Sequence, residues 1–351
     1  MKKGLFVVII LLVIFFITVF SIFSSTGDDV ISYEKVEYNS LTYPGDDINI
    51  VYMNKGNFTV DDDGNLYYLS PIYNITKNKH QIFISKFNVL SKKIKYEFLD
   101  GKIFEKKDNI GIIKGALTID NGILYYKGAK GILSIKDNNV TFTSFSEKLN
   151  WDYADGDFVH VDDGFWIISE IIYRVGSKYY LYKYKNEDNK LIIDKTIETN
   201  EVILNITKYK DDVYVFCHDA ESGEYNLYRI KNNALENIYT IYGNKFKSSG
   251  YYASNANPDK KYYWYNIDFI SIVDNKAFLK GKLESSDKNN LIEIDLNTGK
   301  ENYYDLYPNY QLDYAADTQY IMKKINGKYY LFIKSRNDDP NNLKIFSITK
   351  R

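Results

Sequence analysis

The chain has 351 residues, with 45 Lys and Arg against 46 Asp and Glu, 45% hydrophobic residues, one Cys and three His. A net charge of −1 lacks the clustered basic excess that nucleic acid requires, and the apolar content excludes wholesale disorder. One Cys and three scattered His supply neither a disulfide framework nor a Cys-based zinc site, so the expectation is no metal and no cofactor.

The first element is apolar. Residues 4–23, GLFVVIILLVIFFITVFSIF, are interrupted only by Gly4, Thr18 and Ser21. As a helix they are long enough to cross a hydrocarbon core of ~30 Å. Lys2 and Lys3 precede the run and Asp28 and Asp29 follow it, which predicts a cytoplasmic N-terminus and a single-pass membrane protein with its C-terminal domain extracytoplasmic. A cleaved signal peptide is the competing reading, but its apolar part is normally ~7 to 15 residues long and ends at a small-x-small site, which SIFSSTGDD does not offer. No Cys follows the run, which excludes a lipobox anchor. Residues 1–23 are thus read as cytoplasmic tip and transmembrane anchor, 24–31 as a Ser, Gly and Asp linker, and 32–351 as the ectodomain. Only four Arg accompany many Lys, Asn, Ile and Tyr, the usage of AT-rich bacterial genomes.

After the segment 32–40 one unit recurs: a β-like run, an Asx-rich turn, an aromatic run, a polar loop, and two further short strands. The turns are expected at Asp63-Gly64, Asn121-Gly122, Asp163-Gly164, Asp211-Asp212, Asp274-Asn275 and Asn326-Gly327. Such dipeptides accept the positive φ of two-residue hairpins. Third strands are predicted at 80–88, 131–138, 178–186, 225–233, 290–297 and 342–349, and the first five lead into fourth strands starting near Lys93, Val140, Leu191, Leu235 and Glu301. The sixth unit lacks a fourth strand, whereas SYEKVEYNS at 32–40 is strand-like and unpaired. The spacing of about 53 residues, with no amphipathic helix outside the anchor, predicts an all-β, six-bladed β-propeller closed by an N-terminal strand and preceded by one transmembrane helix.

The run IEIDLNTGKENYYDLY, Ile292 to Tyr307, resembles the third-strand, turn and fourth-strand passage of bacterial extracytoplasmic propellers, the broad group that includes TolB-like and quinoprotein-like repeats. Asp295-Leu296-Asn297-Thr298-Gly299-Lys300 carries the likeness most closely. The resemblance implies a propeller outside the cytoplasm and implies no activity.

In a propeller the loops between second and third strands share a face with the blade-to-blade connections, and that face usually holds ligands. The connection between blades 2 and 3 holds Trp151, Asp152, Tyr153, Asp155 and Asp157. The connection between blades 4 and 5, Gly243 to Tyr265, is an insertion that contains Tyr262, Tyr263 and Trp264. Aromatic faces beside carboxylates suit sugars and also protein hot spots, so Trp151, Tyr153, Asp155, Tyr262, Tyr263 and Trp264 are the expected contacts for a glycan or protein partner. The simpler reading is local loop packing. His160, on the inner strand of blade 3, is expected to be a hydrogen-bonded structural residue or to line the channel. The neighbours Cys217 and His218 point to opposite faces of one strand and make no nucleophilic pair. Asp61, Asp62 and Asp63 are read as turn chemistry rather than a calcium loop.

The functional expectation is a membrane-anchored, extracytoplasmic binding module at the bacterial cell surface, without catalytic residues. Two alternatives stand beside it. One is a carbohydrate-active hydrolase or lyase using the acids of the blade 2 to 3 rim. The other is a structural subunit of an envelope complex.

Overall fold

The computed structural model describes residues 31–38, 40, 41, 43, 50–52, 57–101, 116–128, 130–146, 157–168, 178–254, 257–286, 289–306, 318–335 and 343–350. The expected anchor, 4–23, lies outside them, and among the described residues no helix is long and apolar enough to cross a membrane.

Strand β1 is Ile31–Lys35 and the short β2 is Ile50–Tyr52. A first meander follows: β3 Asn57–Val60, β4 Asn65–Asn74, β5 Lys79–Asn88 and β6 Ile94–Asp100. The second is β7 Ala116–Asp120, β8 Ile123–Gly128, β9 Gly131–Lys136 and β10 Asn139–Phe145. The third is β11 Phe158–Val161, β12 Gly164–Ile168, β13 Tyr179–Glu187 and β14 Lys190–Thr199. The fourth is β15 Val202–Tyr209, β16 Asp212–Asp219, β17 Glu224–Lys231 and β18 Ala234–Tyr242. A separate hairpin, β19 Ser248–Ser254 with β20 Asn257–Tyr265, comes next. The fifth meander is β21 Ile267–Val273, β22 Lys276–Gly281, β23 Asn290–Asp295 and β24 Glu301–Asp305. The last comprises β25 Thr318–Ile325, β26 Lys328–Ser335 and β27 Lys344–Lys350.

This last sheet has the order β1-β27-β26-β25. The N-terminal strand supplies its outer edge, antiparallel to β27, with Ser32 opposite Thr349 and Lys35 opposite Phe346. The closure read from the sequence is therefore present, and the strand begins one residue earlier than expected, at Ile31. The second and third meanders join into one eight-stranded sheet through a short parallel contact of β10 with β14 at Ser144–Lys190 and Phe145–Leu191.

The turns explain the register. Asn121/Gly122, Asp274/Asn275 and Asn326/Gly327 all take positive φ, between 48° and 80°. So do Asp137/Asn138, Asp188/Asn189 and Asn232/Asn233 between third and fourth strands. Positive φ at both central residues gives the twist that matches paired strands, and Asn and Asp reach it at modest cost. The expected Asp163-Gly164 and Asp211-Asp212 turns each fall one residue earlier, at 162–163 and at 210–211 with Lys210 at φ 55°, which places Gly164 in β12 and Asp212 in β16. The hexapeptide at Asp295 folds as an Asx turn: Asp295 Oδ1 accepts from the Asn297 and Thr298 amides at 3.0 and 2.9 Å, and Gly299 takes φ 70°.

Because side chains alternate across each strand, both faces of every meander must be covered. Six apolar clusters cover them, one between each successive pair, and the cluster between last and first contains Phe58, Leu66, Phe83, Tyr330, Phe332 and Ile345. The first strands meet in the same order, β3 with β7, β7 with β11, β11 with β15, β15 with β21, β21 with β25, and β25 with β3. Sheets stacked face to face around a common line of first strands are the layout of a β-propeller. Hairpin turns within the meanders occupy one end of this assembly, the turn face. Connections between second and third strands and between meanders occupy the other, the loop face.

Candidate functional site

Two groups of functional side chains are built by this arrangement, one on the axis and one on the loop face. On the axis, Asp120 ends β7, His160 lies in β11 and Lys208 lies near the end of β15. His160 Nδ1 is 2.7 Å from Asp120 Oδ2, and Lys208 Nζ donates to both Asp120 oxygens at 3.2 Å. All three are only about a fifth exposed. Lys208 reaches past the third meander to a residue of the second, which requires both side chains to point at the axis. Tyr125 stacks on His160 with 4.5 Å between centroids and 13° between planes. Burial and the Asp120 charge raise the Tyr125 pKa above the ordinary phenol range. His160 is thus a hydrogen-bonded residue of an axial ion network.

Neighbouring first strands are tied in the same way. Ser271 Oγ donates to the Met322 carbonyl at 3.0 Å, Gln319 donates to the Phe58 carbonyl at 3.2 Å, and Lys323 pairs with Asp62 at 2.7 Å. Asp157, at the start of the third meander, accepts from Asn205 of the fourth at 2.9 Å. Paired in this way these groups hold strands together, and none is placed as a nucleophile beside a base.

On the loop face the insertion expected between blades 4 and 5 folds as β19–β20 and lies over the end of the fourth meander. The floor beneath it is glycine. A Cβ on Gly243 would stand 2.0 Å from the Gly223 carbonyl oxygen and 2.3 Å from the Tyr265 ring, so only glycine permits this approach. Tyr263 N donates to the Ala220 carbonyl at 2.9 Å. Tyr225 and Tyr265 close a reciprocal pair, hydroxyl to carbonyl at 3.0 Å and amide to hydroxyl at 3.1 Å.

Three of the expected contact residues fall here, and they divide. Tyr262 is buried. Trp264 packs against the core between third and fourth meanders and lies 4.3 Å from the His218 ring. Tyr263 is 37% exposed. Beside it, at the end of β18 and next to Gly243, Tyr242 is 54% exposed, with Lys245 Nζ 6.0 Å from its ring. The sequence reading missed Tyr242; its one signal was an aromatic residue ending a strand directly before a glycine. Trp151, Tyr153 and Asp155 lie outside the described residues.

Cys217 and His218 do diverge. Cys217 is fully buried in the core between third and fourth meanders, where desolvation pushes its thiol well up. His218 has no exposure and stacks on Tyr225 at 4.3 Å. Desolvation lowers its pKa to about 4, against a smaller opposing effect of the Tyr263 backbone. Neither ring nitrogen completes a hydrogen bond of normal geometry, so the ring is held neutral. Nearby, Glu201 accepts from Tyr228 Oη at 2.5 Å and from Asn226 at 3.1 Å. Burial outweighs these donors and raises its pKa.

No family model matches the chain, and no curated protein matches it by sequence. Among solved structures it is similar to the β-propeller domain of the Trilobed protease from Pyrococcus furiosus, at 12% identity over 86% of this chain and 82% of that one with a TM-score of 0.43. It is also similar to TolB from Acinetobacter baumannii (11%, 84% and 79%, 0.38) and to the N11 neuraminidase-like protein of a flat-faced bat influenza virus (10%, 92% and 95%, 0.46). At this level of superposition the strand order and the sequence of first-strand contacts, not these likenesses, define the fold.

Proposed function

We propose that this chain is a membrane-tethered, extracytoplasmic six-bladed β-propeller that binds a protein partner at the bacterial cell surface through its loop face. Six blades follow if each meander is one blade, and the contact of β25 with β3 supports a ring closed at that number. The apolar run at 4–23 and its flanking charges support the tether.

One observation carries the binding reading: two tyrosines, Tyr242 and Tyr263, are left exposed at one corner of the loop face, on a glycine floor and a hydrogen-bonded hairpin that fix their backbones. Tyrosine offers large contact area at low entropic cost and dominates protein hot spots. The exposed Glu221 and the half-buried Asp219 and Glu224 form a polar rim. In the same reading Trp151, Tyr153 and Asp155 extend the surface from the connection between the second and third blades.

The test is photo-crosslinking from positions 242 and 263 in intact membranes, followed by pull-down with Tyr242→Ala/Tyr263→Ala. Partner recovery should fall at least about tenfold, as expected when two hot-spot residues are truncated. Unchanged recovery, or a glycan-array signal without any protein crosslink, would remove the protein-binding reading.

A further inference from the structure

The pairing of the closing strand places its first residue, Ile31, at one face of the molecule. Strand β1 pairs with β27 so that Ile31 lies opposite Lys350 and Lys35 opposite Phe346. Strand β27 in turn places Ile348 opposite Tyr329, which is two residues past the Asn326/Gly327 turn, and Lys344 opposite Ile333. Ile31 therefore sits at the turn face, and the chain climbs toward the loop face as it passes Lys35. Between the end of the apolar run at Phe23 and the start of β1 at Ile31 stand the residues 24–30. Seven residues reach at most about 25 Å when fully extended.

That length is to be compared with the height of the sheet. Strand β26 has 8 residues, which corresponds to roughly 26 Å of rise. If the loop face lay against the bilayer, the chain would have to leave Ile31 at the turn face and run back along the whole rim before it could enter the lipid. The seven residues are consumed by that distance alone. With the turn face toward the bilayer, the same residues run directly from Ile31 to the surface.

We infer that the turn face is the membrane-proximal face of the protein and that the loop face, with Tyr242 and Tyr263, is displayed away from the bilayer. This rests on the tether of the proposed function and adds to it the orientation. The axial Asp120, His160 and Lys208 then open toward the lipid headgroups, and a partner approaches from the opposite side.

The experiment uses the full chain in vesicles that carry a nitroxide on the lipid headgroup. Single cysteines are placed at exposed positions and labelled with a fluorescent maleimide: Lys328→Cys and Asp211→Cys on the turn face, Glu37→Cys, beside the start of β27, and Glu221→Cys toward the loop face. Cys217 is fully buried and stays unlabelled in the folded protein. The turn-face labels are expected to lose fluorescence to the nitroxide and the loop-face labels to keep it. Because Lys328 and Glu37 flank the same sheet, they report the face rather than a tilt of the disc. Insertion of a long Gly/Ser tract within 24–30 should remove the difference while the protein still floats with the vesicles. Stronger quenching at Glu37→Cys and Glu221→Cys, equal quenching at all four sites, or a difference that survives the long tract overturns the inference. Failure to float with the vesicles overturns the tether itself, and the orientation with it.

Discussion

Glu201 and His218 are neighbours in the fourth meander whose titrations push stability in the same physical direction, toward the neutral form. For His218 the folded pKa of about 4 lies below the usual imidazole value, so its contribution is complete above pH ~6.5 and is lost as pH falls toward 4. His218→Phe is expected to flatten that acid limb, removing roughly 2–3 kcal/mol of pH dependence measured by denaturant midpoints between pH 4 and 7. An unchanged slope would show that His218 is not the titrating group. For Glu201 the folded pKa is raised, so its contribution is present at acid pH and is lost as pH rises through that pKa. Tyr228→Phe removes a donor to the carboxylate and should cost about 1.5–3 kcal/mol where Glu201 is ionised and much less where it is protonated. Gly327 offers a simpler check. At φ 80° with open space around its Cα, Gly327→Ala should cost about 1 kcal/mol through backbone conformation alone.

The hairpin β19–β20 is an element without a sheet of its own. Among the described residues its two strands pair with each other alone, and it is held by the Tyr263 to Ala220 bond, the Tyr225 and Tyr265 pair and the two glycines beneath it. Gly243→Ala would drive a methyl into the Gly223 carbonyl, so the hairpin must lift. Limited proteolysis should then cut first within the β19–β20 hairpin while the meanders stay protected, and cutting elsewhere first would contradict that order of stability. A comparable element-level dependence holds at β1. Deleting residues 31–35 uncovers Phe346 and Ile348 and leaves β27 as a bare edge, and the expected result is a lowered Tm together with aggregation.

At the scale of the whole molecule, ring closure has two independent supports, the shared core around Phe58, Phe332 and Ile345 and the polar ties between first strands. Asp120 is the most connected of these ties. Asp120→Asn strips the carboxylate from Lys208 and His160 together and should cost about 1–3 kcal/mol, measured as a shift in denaturant midpoint with the m-value unchanged. A change in m would mean instead that the second to fourth meanders unfold separately from the rest. The tether, the membrane-facing turn face and the displayed tyrosines form one proposal at this scale, and the quenching and crosslinking experiments separate its parts.

The sequence by itself determined the period of the repeat, all six hairpin positions to within a residue, the third strands, and the closure by the N-terminal strand, because positive-φ turn residues and period-two apolar alternation are local signals. The shift to Lys210 escaped it, since Lys at positive φ is unusual and Asp211-Asp212 looked equally good. Contacts across meanders were not legible. That Asp120, His160 and Lys208 share one ion network, or that Trp264 turns inward onto His218 while Tyr263 turns outward, depends on residues 40 to 90 positions apart brought together by the packing of whole sheets. Direction also waited for the tertiary structure: a strand that closes a ring can be recognised from its pattern, but which end of it lies at the turn face is decided only by its pairing direction against β27.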